Sequence, residues 1–280
     1  CLDENNEHVI RLQRPLFDIN EPFEIPECDF VVNFVAESDI EESWENPQRW
    51  MKTNLLSSTK LLEKIPKGAV FIHISTPEVY GSNSHWIKER RDYLPTTPYA
   101  VSRAAFDMLL HAFWHGKKFP MMITRTSNIY GQGQQEFRLI PKAFRLIKNG
   151  EKFQIHGNVK SVRSFIHVKD AAKALYRIST HGKLGETYHI STQKTHSIND
   201  VLARICALLG TTLGRSTTRI QERTGKDHAY LLNSDKVRSL GWYDQITLDE
   251  GLKDYANSFT VGEGSRRVSE DPRTSLQITF

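Results

Sequence analysis

Three short apolar runs, each passing into a polar cluster and separated by stretches of helical period, constrain this chain more than any other feature. Asp29–Val35 (DFVVNFV) leads into AESDIEES, Ala69–Ile74 (AVFIHI) into STPEVYG, and Met121–Thr124 (MMIT) into RTSNIYG. Between the first two runs, Pro47 opens PQRWMKTNLLSSTKLLEKI, whose apolar residues recur at helical spacing up to Ile65. Between the second and third, Tyr99–Phe113 carries Ala, Leu and Met on one side. Strands alternating with helices in this way predict an α/β fold, a doubly wound parallel sheet. Ligands of such sheets bind beyond the carboxyl ends of the strands, where all three polar clusters fall. An active site is expected there, although polar residues after a strand are also what any loop shows.

Beyond Tyr130 the texture changes. Helices are expected at Ile140–Lys148, Lys169–Ser179, Ile198–Leu209, Ser234–Leu240 and Leu248–Phe259, with a turn and short strand in NGEKFQIHG. A smaller α/β lobe follows from this. The segment from Thr260 has no sustained period and reads as a mobile tail. The chain has 280 residues, enough for one large α/β unit or two small domains that share a core. A net charge of +4 is too mild to imply nucleic acid, though it suits an anionic ligand. No apolar run approaches the roughly 18 residues of a membrane span, and no signal peptide is visible. The 3 Cys and 11 His show no metal or disulfide spacing, which fits a reducing, cytoplasmic setting and no metal site.

The stretch PTTPYAVSRAA sharpens the chemistry. Tyr99 is followed four residues later by Arg103, which repeats the reductase pattern Tyr-x-x-x-Lys with its last residue changed. A free tyrosine titrates at about pH 10, too high for a base at neutral pH, and a fixed cation nearby lowers that value. Arg103 keeps the charge but carries it on a larger planar fork, so the exchange is not conservative. The ordinary alternative is that Tyr99 caps a packing helix while Arg103 sits on its solvent face.

From Leu2 to about Phe259 the chain resembles the extended short-chain dehydrogenase/reductases that act on nucleotide sugars. The dTDP-glucose 4,6-dehydratases are nearest, and GDP-mannose dehydratases and UDP-glucuronate decarboxylases are also similar. The motifs FVAESDIEES, ISTPEVYGS, TPYAVSRAAFD, TRTSNIYGQGQ, RLIP, VRSFIHVKDAAKAL, ERTGKDHAY and SLGW carry the resemblance in order. It implies a Rossmann-like NAD-binding domain over residues 1–136 and a mainly substrate-binding lobe over 137–259, with some segments returning to the sheet. Residues 260–280 remain as the tail. CLDE then matches the end of a second strand, so the sequence as given is expected to lack the first βα unit with its Gly-rich turn.

In that alignment Asp3 is the ribose ligand, Asp18 and Ile19 flank the adenine, and Phe34, Val35, Ala36 and Thr53 line the cofactor. Tyr99 is the base, and Arg103 stands for the lysine that also binds the nicotinamide ribose. Thr76 matches the hydroxyl on the sugar's O4, and Glu78 the base at C5. Pro77 stands where dTDP-glucose enzymes carry an aspartic acid. Ser38 and Asn128 approach the sugar, and Arg138 with Leu139 lies beside the nucleotide. Arg163 matches a diphosphate-binding arginine, and Asp227 and Tyr230 a further substrate segment. His156 and His189 have no assigned role. Each residue has a plainer alternative: Asp3 as a terminal charge, Phe34 as strand core, Glu78 as a solvated turn carboxylate, Arg138 and Arg163 as surface charges.

The implied reaction is NAD-dependent 4,6-dehydration of a nucleotide-diphosphate sugar, by C4 oxidation, C5 proton abstraction, loss of water and hydride return to C6. A 4-epimerase or a UDP-glucuronate decarboxylase is the enzymatic alternative. A catalytically weak nucleotide-sugar-binding protein is the alternative of another class. The resemblance also implies a homodimer built through Pro47–Ile65 and Tyr99–His115. Trp50, Leu55, Leu61, Leu62, Phe106, Leu109, Leu110 and Phe113 fit that interface or the protein's own core equally.

Overall fold

The computed structural model describes residues 24–156, 162–220 and 229–261. Asp3, Asp18, Ile19 and Asp227 lie outside the described residues, as do CLDE and 262–280 of the expected tail. The first strand, β1 (Phe30–Asn33), is followed by helices α1 (Ile40–Glu45) and α2 (Pro47–Met51) and, after an intervening turn, α3 (Ser58–Leu62). Then come β2 (Val70–Ser75), the long helix α4 (Pro98–Lys117), β3 (Met121–Thr126) and β4 (Asn128–Tyr130). The chain continues through α5 (Leu139–Lys148), β5 (Phe153–His156), β6 (Val162–Arg163), β7 (Phe165–His167) and α6 (Val168–His181). It ends with β8 (Thr187–Ile190), β9 (His196–Ser197), α7 (Ile198–Leu208), α8 (Leu213–Ser216), β10 (Thr217–Ile220), α9 (Asp235–Arg238) and α10 (Leu248–Val261).

The main sheet runs β1-β2-β3-β8, all parallel, with Val32 opposite Ile72 and Ile72 opposite Met122. Two faces of apolar packing enclose it, as a parallel sheet requires. On one side Phe71, Met121 and Ile123 meet Leu61 and Leu62 of α3 and Phe106 and Leu110 of α4. On the other, Ile72, Met122 and Tyr188 meet Ala174, Leu175 and Ile178 of α6. A third cluster, around Phe144, Phe153, Leu202 and Leu252, forms the core of a second lobe from α5, β5, α7 and α10. The fold is thus a Rossmann-like parallel α/β sheet with an added lobe.

Two local features differ from the periodicity. The helix expected over Pro47–Ile65 widens to π geometry at Lys52–Ser57 and ends at Leu62. Its buried face there is polar: Thr53, Asn54 and Ser57 point inward, and Asn54 Nδ2 donates to Ser102 Oγ of α4 at 2.9 Å. Wide turns of this kind collect at functional sites. The polar cluster AESDIEES contains α1, started by Asp39 accepting from Glu42 N at 3.0 Å. The apolar residues offered for a dimer face mostly belong to the protein's own core, since Trp50, Leu61, Leu62, Phe106 and Leu110 are buried. The outer surface of those helices carries Leu56 (59% exposed), Val101 (39%) and Met108 (61%) instead.

Candidate active site

The carboxyl end of β2 passes directly into a single 3-10 turn, Pro77–Tyr80. The local sequence accounts for that turn. Thr76 caps it, its Oγ1 accepting from Glu78 N at 3.3 Å, and Pro77 occupies the first position, where a missing N–H costs nothing. Gly81 ends it with φ of 69°; a Cβ there would come within 2.6 Å of Leu94 O, so the chain must turn on glycine. The second element is α4, which Thr97 starts by accepting from Ala100 N at 3.1 Å, with Pro98 at its first position. Tyr99 therefore sits in the first turn of a 20-residue helix, facing the end of β2.

The two elements meet. Tyr99 is 8% exposed and Thr76 7%, and the Thr76 hydroxyl stands near enough to the Tyr99 phenol to act on its pKa. Burial pushes the Tyr99 hydroxyl above its ordinary value; the Arg103 guanidinium works against that, the Glu78 carboxylate adds to it, and the Thr76 hydroxyl and Arg138 oppose it. Thr76, Glu78, Arg103 and Arg138 all stand close enough to act on one phenol. Arg138, ahead of α5, donates from Nη2 to Ser38 Oγ at 2.9 Å, so two residues expected at the substrate touch each other across 100 positions. Leu139, the first residue of α5, packs on the second-lobe core.

Arg103 lies buried beneath Tyr99. Only 2% exposed, it donates from Nη1 to Val35 O at 3.3 Å and from Nη2 to Ile74 O, with His73 Nε2 3.3 Å from Nη2. The fork thus clamps the carboxyl ends of β1 and β2 together beneath Tyr99. Phe34, Val35 and Ala36 are half-buried at the end of β1, and Phe34 packs against the core on one face of the sheet. Thr53 is buried in the wide helical turn.

A second group forms at the edge of the added lobe. The Arg163 guanidinium lies 4.9 Å from the centre of the Tyr230 ring. The strand-like stretch around Tyr230 is pinned to the loop after the 3-10 turn: Asn83 N donates to Ala229 O at 3.1 Å, and Leu231 N to Asn83 Oδ1 at 2.9 Å. Asn128, exposed on β4, pairs with Phe165 two residues beyond Arg163. Sequence reasoning missed Asn83 and the Asn54–Ser102 seam, whose only signal is polar residues on apolar faces.

Over residues 17–255 the chain matches the family model described as GDP-mannose 4,6 dehydratase. The chain belongs to that family. Within the GDP-mannose 4,6-dehydratase family it is 33% identical over 239 residues to an Arabidopsis thaliana trifunctional enzyme, UDP-glucose 4,6-dehydratase/UDP-4-keto-6-deoxy-D-glucose 3,5-epimerase/UDP-4-keto-L-rhamnose-reductase. That match covers 83% of this chain and 36% of the plant protein, so the chain spans about a third of that relative's length. It is 31% identical over 239 residues to mouse dTDP-D-glucose 4,6-dehydratase, covering 82% of this chain and 67% of the mouse protein. The structure resembles dTDP-glucose 4,6-dehydratase DesIV of Streptomyces venezuelae, solved with NAD bound, at a TM-score of 0.80 and 28% identity. The likeness covers 84% of this chain and 74% of that one. Among the described residues, no helix is long and apolar enough to cross a membrane.

Two buried histidines make the site's support acid-sensitive. Burial, with Arg103 and Arg125 nearby, lowers the His73 pKa well below its ordinary value, and burial with Arg125 lowers that of His189 to about 3. A histidine whose folded pKa is depressed contributes stability above its unfolded value, about 6.5, and loses it as pH falls toward the folded value. From about pH 6.5 to about 5.5 the two together should cost about 2 kcal/mol of unfolding free energy. Denaturant titrations at the two pH values measure this directly, and a flat result would mean that neither ring is held neutral.

Proposed function

We propose that this chain is an NAD-dependent nucleotide-sugar 4,6-dehydratase of the dTDP-glucose type. The observation that carries the reading is a phenol and a carboxylate, Tyr99 and Glu78, brought near each other on two elements, with Thr76 capping the turn that carries Glu78. A 4-epimerase needs a base for one hydroxyl; 4,6-dehydration needs a second base for the C5 proton, and Glu78 supplies it.

The residues fit the cofactor. Thr53 Oγ1 and Arg103 Nε are buried with no hydrogen-bond partner among the described residues. Their sequence neighbours Asn54 and Ser102 are bonded to each other, so the helical segments that carry them meet there. Phe34, Val35, Ala36, Thr53 and Tyr99 would hold NAD, with Arg103 beneath. NAD held there would supply the hydride acceptor for C4 and the donor for C6. Tyr99 removes the O4 proton, and Thr76 hydrogen-bonds the same oxygen. Glu78 then takes the C5 proton, which the C4 ketone has made acidic. The C6 hydroxyl leaves as water, and a proton returns to C5, so the sequence is redox-neutral. Ser38, Asn128 and Arg138 position the sugar side, while Arg163 grips the diphosphate with Tyr230 packed beneath it.

The exposed Leu56, Val101 and Met108 are the dimer face in this reading, and the free thiols Cys28 and Cys206 suit the cytoplasm. A second reading, nucleotide-sugar binding with weak turnover, draws on one observation: the Arg103 Nη atoms are already committed to strand carbonyls.

Incubating the full protein with NAD and dTDP-, UDP- and GDP-sugars in deuterated water separates these readings. The expected result is a 4-keto-6-deoxy sugar carrying deuterium at C5, made by a species of twice the chain mass by light scattering. A 4-epimer, or carbon dioxide without C5 exchange, would remove the dehydratase assignment. Tight sugar-nucleotide binding without product would favour the second reading.

A further inference from the structure

Both reactive elements of the site are fastened to one buried ion pair. Asp107 lies two turns along α4 from Tyr99, and Arg125 lies on β3; both side chains are 0% exposed, with Arg125 Nη2 2.7 Å from Asp107 Oδ2. Ser75, the residue before Thr76, donates from Oγ to the same Asp107 oxygen at 2.7 Å. On the far side of the turn, Arg125 Nη1 donates to the hydroxyl of Tyr80, two residues after Glu78. The segment that carries Thr76 and Glu78 is therefore held at both of its ends, at Ser75 by Asp107 of the helix that carries Tyr99 and at Tyr80 by Arg125 of β3, which Asp107 pairs.

The Tyr80 hydroxyl has no freedom left. His189 Nδ1 lies 3.2 Å from Asn233 O, which assigns the ring proton to Nδ1 and leaves Nε2 as an acceptor. Tyr80 donates to that Nε2 at 2.9 Å while accepting from Arg125 and from Arg90 N, the latter at 3.3 Å. Arg125 Nη2 also donates to the Tyr93 hydroxyl at 2.6 Å; the Tyr93 ring packs against Tyr80, but this hydroxyl makes no bond to the turn, so Phe keeps the packing and loses only the arginine bond. A buried ion pair offers little net stability over apolar side chains of equal volume. What it offers here is direction, because each bond accepts one geometry.

We propose that Asp107 and Arg125 are positioning residues, which act through Ser75 and Tyr80 to set the Thr76–Glu78 segment against Tyr99. The assignment of a proton to each element rests on the dehydratase reading; the bracket itself rests on packing alone. A displacement of about 1 Å at reacting groups costs on the order of 100-fold in rate, so a loosened turn should show in turnover before it shows in binding.

The test uses the full protein in three variants: Tyr80→Phe, Arg125→Lys and, as a control, Tyr93→Phe. Amide hydrogen exchange across residues 76–81 is compared with that of α10, and kcat and KM are measured with the sugar nucleotide that the wild type turns over. Tyr80→Phe should speed exchange in the turn about tenfold, including Gly81 N, which donates to Glu78 O at 3.0 Å, and leave α10 unchanged. It should lower kcat by roughly 10- to 100-fold with KM within about threefold. Arg125→Lys should repeat the kcat loss, because an ammonium cannot span Asp107 and Tyr80 together, and it decides the matter should the Tyr80 variant fail to fold. Tyr93→Phe removes a bond from the same arginine but not from the turn, and should keep kcat within about twofold. Wild-type exchange in the turn, faster exchange with unchanged kcat, or an equal loss in Tyr93→Phe would each overturn the proposal. If the wild type makes no dehydrated product, the dehydratase reading fails, and the exchange data still judge the bracket.

Discussion

Tyr99→Phe should lower turnover by about 100- to 10,000-fold while leaving nucleotide-sugar binding nearly unchanged, because it removes a base and not a binding surface. Burial is the largest influence on the Tyr99 hydroxyl and raises its pKa, and Arg103 offsets this only in part. The wild-type kcat should therefore rise on the alkaline side as the phenol ionises, and the variant should lose that limb. Arg103→Lys separates charge from geometry. It keeps a cation beneath Tyr99, so turnover should persist. A lysine cannot replace two bonds made by one planar fork to Val35 O and Ile74 O, so stability should fall by about 1–3 kcal/mol. Titrating both variants with denaturant and assaying them across pH checks the two halves. A Tyr99→Phe protein that turns over normally would leave the oxidation step without a base.

Why Tyr99, Thr76 and Glu78 are legible in the sequence while their support is not comes down to range. Strands buried on both faces, such as Val70–Ser75, read as continuous apolar runs, so their ends and the polar residues just beyond them can be placed by counting. The short pairs β4–β7 and β6–β9, of three and two residues, have no room for a period and leave no mark. The helix Ile40–Glu45 is polar outside and so resembles a loop; Asp39 with Glu42 three residues on is its only cue. Asp107 on a helix and Arg125 on a strand read singly as solvated charges. Only the fold, by bringing α4 over β3, makes them a pair. The same applies to Arg103, whose place in the motif says that a cation is near Tyr99 but not that its fork is spent on the strand ends.

Glu78→Gln should stop loss of water while C4 oxidation continues. In the proposed reaction the two steps use different groups: Tyr99 removes the O4 proton, and the C5 proton beside the new ketone needs a base on the 3-10 turn. Glu78 is the only carboxylate in STPEVYG, and it stands close enough to raise the Tyr99 pKa. A glutamine of the same shape cannot take a proton, so C5 deuterium wash-in should fall by about 100- to 10,000-fold. Reduced-nicotinamide absorbance should rise and then stall, because the oxidised sugar has no route onward. Departure of the C6 hydroxyl raises the matter of an acid. Pro77 occupies the neighbouring position and carries no proton, and its place as the first residue of the turn suits the backbone. Either Glu78 returns the proton it has just taken, which suits elimination on one face of the sugar, or a water held by Thr76 gives one. Pro77→Asp distinguishes a site that lacks an acid from one that needs none. An aspartic acid fits the start of a helical turn, so the variant should fold. A faster rate would mean that proton supply limits the wild type; an unchanged rate would mean that Glu78 does both jobs. Glu78→Gln with normal C5 exchange would remove the carboxylate from the mechanism and, with it, the reason to prefer dehydration to epimerisation.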